Sequence, residues 1–251
     1  MDRNVKVIIL SAGHGRRLSP LTDDRPKCLI NLSGRSVLHW QLDHLRNVGV
    51  REAVVVTGFN ADAVVREVAD LPLDGMTVRT KFNPFYSLTD NLATCWMARD
   101  EMRGDVLLLN GDTLFEPAVA EALLAAPPAD ITVTIDRKGP YDDDTMRVLT
   151  EGDRLLAIGK TIDQFNAESI GFLRFSPAGS KLFVRYVEAA MRQPEGLKRW
   201  YLSVIDQIAR ETGRVNVQAI TGLGWAEMDF PADIPRNLAL TERWAARAMT
   251  G

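Results

Sequence analysis

Between residues 8 and 29 the chain reads IILSAGHGRRLSPLTDDRPKCL, an apolar run that opens into a loop with Gly13 and Gly15 and then sets Arg16, Arg17 and Lys27 around it. Small residues let a main chain turn sharply and approach a ligand closely, so several backbone N–H groups can be aimed at one anion. Phosphate is the guest this chemistry suits. Two widespread phosphate loops do not fit. No run of Gly, four residues and Gly-Lys-Ser/Thr occurs, and Leu18 stands where the dinucleotide fingerprint needs its third glycine. Further charged groups lie downstream: Asp112 in Asn110-Gly111-Asp112, the acidic loop Tyr141-Asp142-Asp143-Asp144, Lys160, Glu168, and Asp229 in Glu227-Met228-Asp229. His14, His39 and His44 need no catalytic task, and His39 and His44 are expected on a helix surface.

These groups need a frame. Residues 5–10 are continuous and β-branched, as in a strand buried on both faces of a parallel sheet. Helical spacing follows over 36–48, with Gly49 as its stop, then a strand over 53–57, a helix over 61–70 and a strand over 77–82. Alternation of this kind implies right-handed crossovers and an α/β, doubly wound, mostly parallel sheet. A helix after Asn83-Pro84 is capped by Thr89 or Asp90, and its Leu92, Cys95, Trp96 and Arg99 pack on the sheet. The strand over 106–109 ends in Asn-Gly, ordinarily a hairpin signal. Its residues do not alternate, however, so it also suits a buried parallel strand, beyond whose carboxyl end Asp112 would lie in the ligand-binding crevice. After Pro127-Pro128 come short strands at 131–136, 146–149, 155–158 and 169–175, expected to form a small antiparallel part on the same sheet. One domain, 1–251, is expected, with a nucleotide-binding half at 1–126 and an acceptor-binding half at 127–251.

With 251 residues, 46% of them hydrophobic, the chain can bury a large core. A net charge of -3 supplies no global basic field, so nucleic acid is not an expected partner and any anion site must be built locally. No stretch has membrane-spanning length or a signal-peptide pattern, and the expected setting is cytoplasmic. Cys28 and Cys95 lack metal-ligand spacing and are expected as reduced thiols.

The opening stretch resembles the N-terminal motif of the sugar-phosphate nucleotidylyltransferases: Ala12-Gly13-His14-Gly15-Arg16-Arg17-Leu18, Pro20-Leu21-Thr22 and Pro26-Lys27. Asn83-Pro84 followed by a polar turn and a helix looks like the CTP-using, phosphocholine cytidylyltransferase-like branch. The resemblance implies a Rossmann-like nucleotidyltransferase fold and attack by an acceptor phosphate oxygen on the α-phosphorus of CTP, with pyrophosphate leaving. It implies a nucleotide site of Leu10, Ala12, Gly13, His14, Gly15, Arg17, Thr89, Asn91 and Gly111. Thr89 and Asn91 read the base or merely serve the helix start. Arg17 and Lys27 are the implied catalytic cations, and Asp112 and Asp229 the implied Mg²⁺ ligands, although Asp229 equally suits a helix cap. The acceptor would meet Lys27, Lys160, Asp143, Glu168, Tyr201 and Trp225, and the aromatic faces of Tyr141, Trp200, Tyr201 and Trp225 suit a quaternary ammonium or simply pack in a core. Asn166 with Glu168 would suit a sugar 1-phosphate instead. The partners are then CTP and a small phosphorylated acceptor, with no membrane and a homodimer left open. The alternatives are a hexose-1-phosphate uridylyl- or thymidylyltransferase, and a catalytically silent nucleotide-sugar-binding regulatory subunit.

Overall fold

Runs of Val, Ile and Leu supply the centre of the molecule. The computed structural model describes residues 3–139, 141 and 144–250. Its first half comprises β1 (Arg3–Ser11), the small pair β2 (Asn31–Leu32) and β3 (Arg35–Ser36), α1 (Val37–Asn47), β4 (Val50–Thr57), α2 (Ala61–Asp70), β5 (Thr77–Phe82), α3 (Asn91–Met97), β6 (Asp105–Asn110), β7 (Thr113–Phe115) and α4 (Pro117–Ala125). The second half comprises β8 (Ile131–Asp136), β9 (Arg147–Glu151), β10 (Arg154–Ile158), β11 (Ala167–Phe175), α5 (Pro177–Met191), α6 (Tyr201–Thr212), β12 (Val215–Ala219), β13 (Trp225–Glu227) and α7 (Ile234–Thr250).

Nine strands form one sheet in the order β5-β4-β1-β6-β11-β8-β12-β10-β9. β1 runs parallel to both β4 and β6, and β4 runs parallel to β5. β11 is antiparallel to β6 and β8, and β10 is antiparallel to β12 and β9, whereas β12 and β8 are parallel. The mixed, doubly wound sheet is therefore as expected. The chain leaves β1 toward β4 and later returns to β1's other side with β6, so the strand order reverses there. That reversal opens a crevice at the carboxyl ends of β1 and β6, the usual ligand position in such sheets.

Alternation along β1 sends Ile8 to one face and Val7 and Ile9 to the other, all fully buried. Each such burial contributes about 1.5–3 kcal/mol. Ile8's face packs with residues of α3, α5 and α6, and Ile9's face with α1 and α4. A third cluster joins Leu18, Ile30, Trp40, Leu114, Met228 and Trp244, tying the glycine loop to α7. The Asn-Gly after β6 makes no hairpin with β6: β7 pairs instead with β13. His44, expected on a surface, is buried between the rings of Trp40 and Trp244 with its Nδ1 2.6 Å from the carbonyl of Phe115. Burial lowers its pKa, so it is a neutral core donor. Among the described residues no helix is long and apolar enough to cross a membrane.

Candidate active site

The glycine loop is shaped around Lys27. Gly15 has φ +74°, a left-handed conformation in which its carbonyl accepts bonds from the Leu18 amide and the Thr22 hydroxyl, each 2.9 Å. A β-carbon at Gly15 would come within 2.9 Å of the Lys27 side chain, so the missing methyl is what lets the lysine pass beneath the loop. Lys27 then enters the crevice with its side chain only 16% exposed.

Asp112 and Asp229 are brought together by the short β7–β13 ribbon. In it Thr113 faces Glu227, and the Met228 amide donates to the Asp112 carbonyl at 3.2 Å. Residues at opposite ends of the sequence thus become neighbours. Gln41, buried among the apolar residues of α1, fixes the turn that carries Asp112. Its Nε2 donates to the carbonyls of Asn110 and Thr113 at 2.9 and 2.8 Å. The Lys27 ammonium lies 2.7 Å from both Asp112 Oδ2 and Asp229 Oδ1. Burial works against its charge, but Asp112 and Asp229 outweigh that and hold its pKa above the usual lysine range. Glu227 completes the acidic group. Burial, then the charges of Asp112 and Asp229, raise its pKa well above the usual carboxylate range. Asp229 is not a helix cap: the Asp233 carboxylate takes that role, accepting from the Asp229 and Phe230 amides at 2.9 and 2.8 Å.

Two adjoining cavities meet at this centre. The first, about 270 Å³, is lined by Leu10, Ala12, Gly13, Gly15, Gly111, Thr89 and Asn91, together with Ser11, Tyr86, Asp90, Thr94 and Lys27. The second, about 260 Å³, is lined by Arg17, Asp144, Met146, Lys160, Ser169, Glu227 and Asp229, among others. Asn91, Asn110, Asp112 and Trp200 belong to both. Gly111 allows the close approach of β1 and β6 behind them, since a β-carbon there would lie 2.5 Å from Ser11 Oγ.

The sequence-derived residues fall into place unevenly. Arg17 lines the second cavity rather than the wall of the first, and its guanidinium bonds Asp144 at 3.1 Å. Asp144 also pairs with Lys160, whose ammonium stands 5.1 Å from the centre of the Trp200 ring. Burial tends to raise the Asp144 pKa, but Lys160 and Arg17 together bring it below the usual carboxylate value. His14 lines neither cavity and stacks on Phe59 at 3.8 Å. Asp90 is the N-terminal cap residue of α3 but makes no side-chain capping bond, and Thr89 bonds the Phe85 carbonyl instead. The side-chain oxygen of Asn91 accepts from the Tyr201 amide at 2.9 Å.

Two acceptor residues need correction. Tyr201 is fully buried, its hydroxyl 3.1 Å from Asn110 Oδ1, because the first turn of α6 points it into the core and leaves its neighbour Trp200 at the cavity. Trp225 is 6% exposed in the layer of Phe115 and Phe172 and donates its indole N–H to Asp136 at 2.7 Å. Neither residue lines either cavity. Asn166 is likewise taken up, bonding the main chain of Thr150. Glu168 lies on β11 beside Arg147 in register, outside the walls of both cavities. Asp143 lies outside the described residues. Of the residues at the site, Gln41 alone gave no sign of its role in the sequence, whereas Asp144 stood in the acidic loop, Trp200 among the candidate aromatic faces and Glu227 in Glu-x-Asp.

One cavity walled by the glycine loop, opening onto a second that carries its own cations, with a lysine and paired aspartates between them, is the arrangement of a nucleotidyltransferase. The chain belongs to the family of the MobA-like NTP transferase domain, whose family model matches residues 7–219. Over 243 residues it is 34% identical to the CMP-5'-(3-aminopropyl)phosphonate synthase of Streptomyces rubellomurinus, covering 91% of this chain and 37% of that protein. It is 22% identical over 254 residues to the CTP:phosphoglutamine cytidylyltransferase of Campylobacter jejuni, covering 92% of this chain and 98% of that one. The chain thus spans little more than a third of the first relative and nearly all of the second. In fold it is similar to the inositol-1-phosphate CTP transferase from T. maritima, with a TM-score of 0.81 at 21% identity over 94% of each chain. It is also similar in fold to the CTP:phosphocholine cytidylyltransferase from Streptococcus pneumoniae, with a TM-score of 0.75 at 19% identity over 94% of this chain and 99% of that one.

Proposed function

We propose that this chain transfers a cytidylyl group from CTP to a small phosphorylated acceptor of the phosphocholine or phosphonate type, releasing pyrophosphate. The observation that carries the reading is the pair of adjoining cavities with Lys27, Asp112 and Asp229 at their junction. The cytidine nucleotide would occupy the first cavity and the acceptor the second. The named relatives that use CTP favour cytidine as the base.

In the reaction an acceptor phosphate oxygen attacks the α-phosphorus, a new P–O bond forms, and the bond to the β-phosphate bridging oxygen breaks with its electron pair leaving on pyrophosphate. A phosphate monoester is largely dianionic at neutral pH, its second pKa being about 6, so no general base is needed. Positioning and fixed positive charge are the general means of catalysing such transfers. Lys27 is placed to offset charge between the two substrates. Arg17 and Lys160, which pair with Asp144 at the second cavity, would bind the acceptor's anionic end in its stead, and the glycine loop, which lines the first cavity, would meet the nucleotide phosphates.

The residues also fit Mg²⁺. Asp112 Oδ1 is buried without a hydrogen-bond partner while its other oxygen bonds Lys27, and Asp229 stands beside it. Asp112 and Asp229 would hold the ion, which needs few carboxylates because phosphates and water complete its shell. When bound it would supply charge neutralisation at the nucleotide phosphates. The cytoplasm is the proposed setting, in keeping with Cys28 and Cys95 as free, buried thiols.

A pyrophosphate-release screen tests the reading. CTP, UTP, dTTP, ATP and GTP are each combined with phosphocholine, phosphoethanolamine, aminoethylphosphonate and hexose 1-phosphates. Release with CTP and a small phosphorylated or phosphonate amine is expected. Preference for UTP or dTTP with a hexose 1-phosphate would overturn it, and absence of release with any pair would favour the silent regulatory subunit.

A further inference from the structure

Behind the loop that walls the first cavity runs a groove of about 500 Å³ between α3, α5 and the turn Pro194–Lys198. Its apolar walls include Phe85, Leu88, Trp96, Met97, Met191 and Leu197. Leu88 is 65% exposed, Phe85 49% and Leu197 47%. Large apolar side chains clustered at a concave surface mark a contact site more often than chance exposure does. The groove continues, through Met97, Arg99 and Glu188, into an open depression between α5 and the segment after α3.

Charge distinguishes this face. Groove and depression together carry Lys81, Arg99, Arg103, Lys181, Arg185 and Arg192 against only Asp100 and Glu188. Both acids are engaged, Asp100 by Lys81 and Glu188 by Arg99 at 3.4 Å. Among the described residues no carboxylate lies within ion-pair distance of Arg103, Lys181, Arg185 or Arg192. A local excess of cations on a chain of net charge -3 is a field with a direction, and such fields choose partners and speed encounter.

We propose that this face docks an acidic amphipathic segment of another protein, with apolar side chains in the groove and carboxylates along the cationic rim. The floor is concave, with Trp96, Met97 and Met191 only partly exposed, which a helix or strand can enter and a planar bilayer cannot. Methionine-rich floors adapt to varied side chains. Of the residues on this face only Thr89 also lines the first cavity.

The test uses two fluorescein-labelled peptides with leucines at the same helical spacing, one with glutamates and one with lysines at all other positions. Fluorescence polarisation is read at low and at high salt. The glutamate peptide is expected to bind, to weaken as salt rises, and to lose about tenfold in affinity, or about 1.4 kcal/mol, in each of Arg103→Glu/Arg185→Glu and Leu88→Ser. The lysine peptide is expected not to bind. Both variants should keep wild-type thermal unfolding and pyrophosphate release. Failure of the glutamate peptide to bind, equal binding of both peptides, or affinity untouched by the variants would overturn the proposal. Binding of phosphatidylserine vesicles without peptide binding would assign the face to a membrane and overturn it. Self-association in sedimentation that Leu88→Ser abolishes would assign it to a second copy of the chain, with the same consequence.

Discussion

Replacing Lys27 with methionine keeps much of the side chain's volume and removes its charge, leaving Asp112 and Asp229 as adjacent carboxylates without their shared cation. Removing one partner of a buried ion pair costs about 3–5 kcal/mol. Here the side chains of Lys27, Asp112 and Asp229 keep 16%, 24% and 26% exposure, so water recovers part of the loss and about 3 kcal/mol is the better figure. For a chain of this length each kcal/mol moves the melting temperature by roughly 2–4 °C, giving a fall of about 6–12 °C. Turnover should drop about 100- to 1,000-fold, the loss typical of one preorganised charge-stabilising group. Chemical denaturation of wild type, Lys27→Met, Asp112→Asn and the double variant closes a thermodynamic cycle, and pyrophosphate release is followed on the same four proteins. The double variant should be more stable than the sum of the single losses requires, with a coupling of about 1–3 kcal/mol. A Lys27→Met protein within about 1 kcal/mol of wild type, or a cycle without coupling, would refute the account of this centre.

Gly111→Ala sets a methyl 2.5 Å from Ser11 Oγ and 2.6 Å from the Leu10 carbonyl, so differential scanning calorimetry should show a loss of about 1–3 kcal/mol. Gln41→Leu leaves the Asn110 and Thr113 carbonyls without their donor; it should lower stability by about 1–3 kcal/mol, and steady-state kinetics should show a fall in kcat as the Asp112 turn loosens. Burial holds His44 below its ordinary pKa of 6.5, and burial does the same to His39. Below that pH the unfolded chain binds more protons than the folded one, so stability is full above pH 6.5 and is lost as pH falls through the window toward the folded values. Denaturation curves across that range should show the slope, and His44→Gln, which retains a donor for Phe115, should flatten it. Asp144→Asn weakens the carboxylate's hold on Arg17 and Lys160, and should lower KM for the acceptor while leaving KM for the nucleotide unchanged.

The frame was legible because its signals are local. The apolar runs of β1, β4, β6 and β8 and the spacing of α1 and α2 follow from side chains that must be buried together within one element. The glycine loop and Lys27 were legible for the same reason, as one contiguous stretch. The joining of Asp112 to Asp229 depends on β7 and β13, three-residue strands from distant parts of the chain, and no periodicity appears in so short a run. Tyr201 and Trp225 misled because an aromatic ring with a polar tip suits both a cavity wall and a core. Only the rotation of α6 and the partner on β8 decide, turning Trp200 outward and fixing Trp225 to Asp136. Gln41 was hidden by its position on an apolar face, although its amide holds the turn that carries the acid.

Asp144 already fills the place between Arg17 and Lys160 with a charge of the chain's own. On the proposed reaction an acceptor therefore enters by ion exchange rather than by addition to bare cations. A singly charged anion offers those cations no more than the resident carboxylate does, whereas a dianion offers twice the charge, so the arrangement filters entrants by valence. The exchange also runs backwards. Once the acceptor's phosphate has become part of a diester-like anhydride with one charge fewer, the carboxylate competes on better terms and helps the product leave.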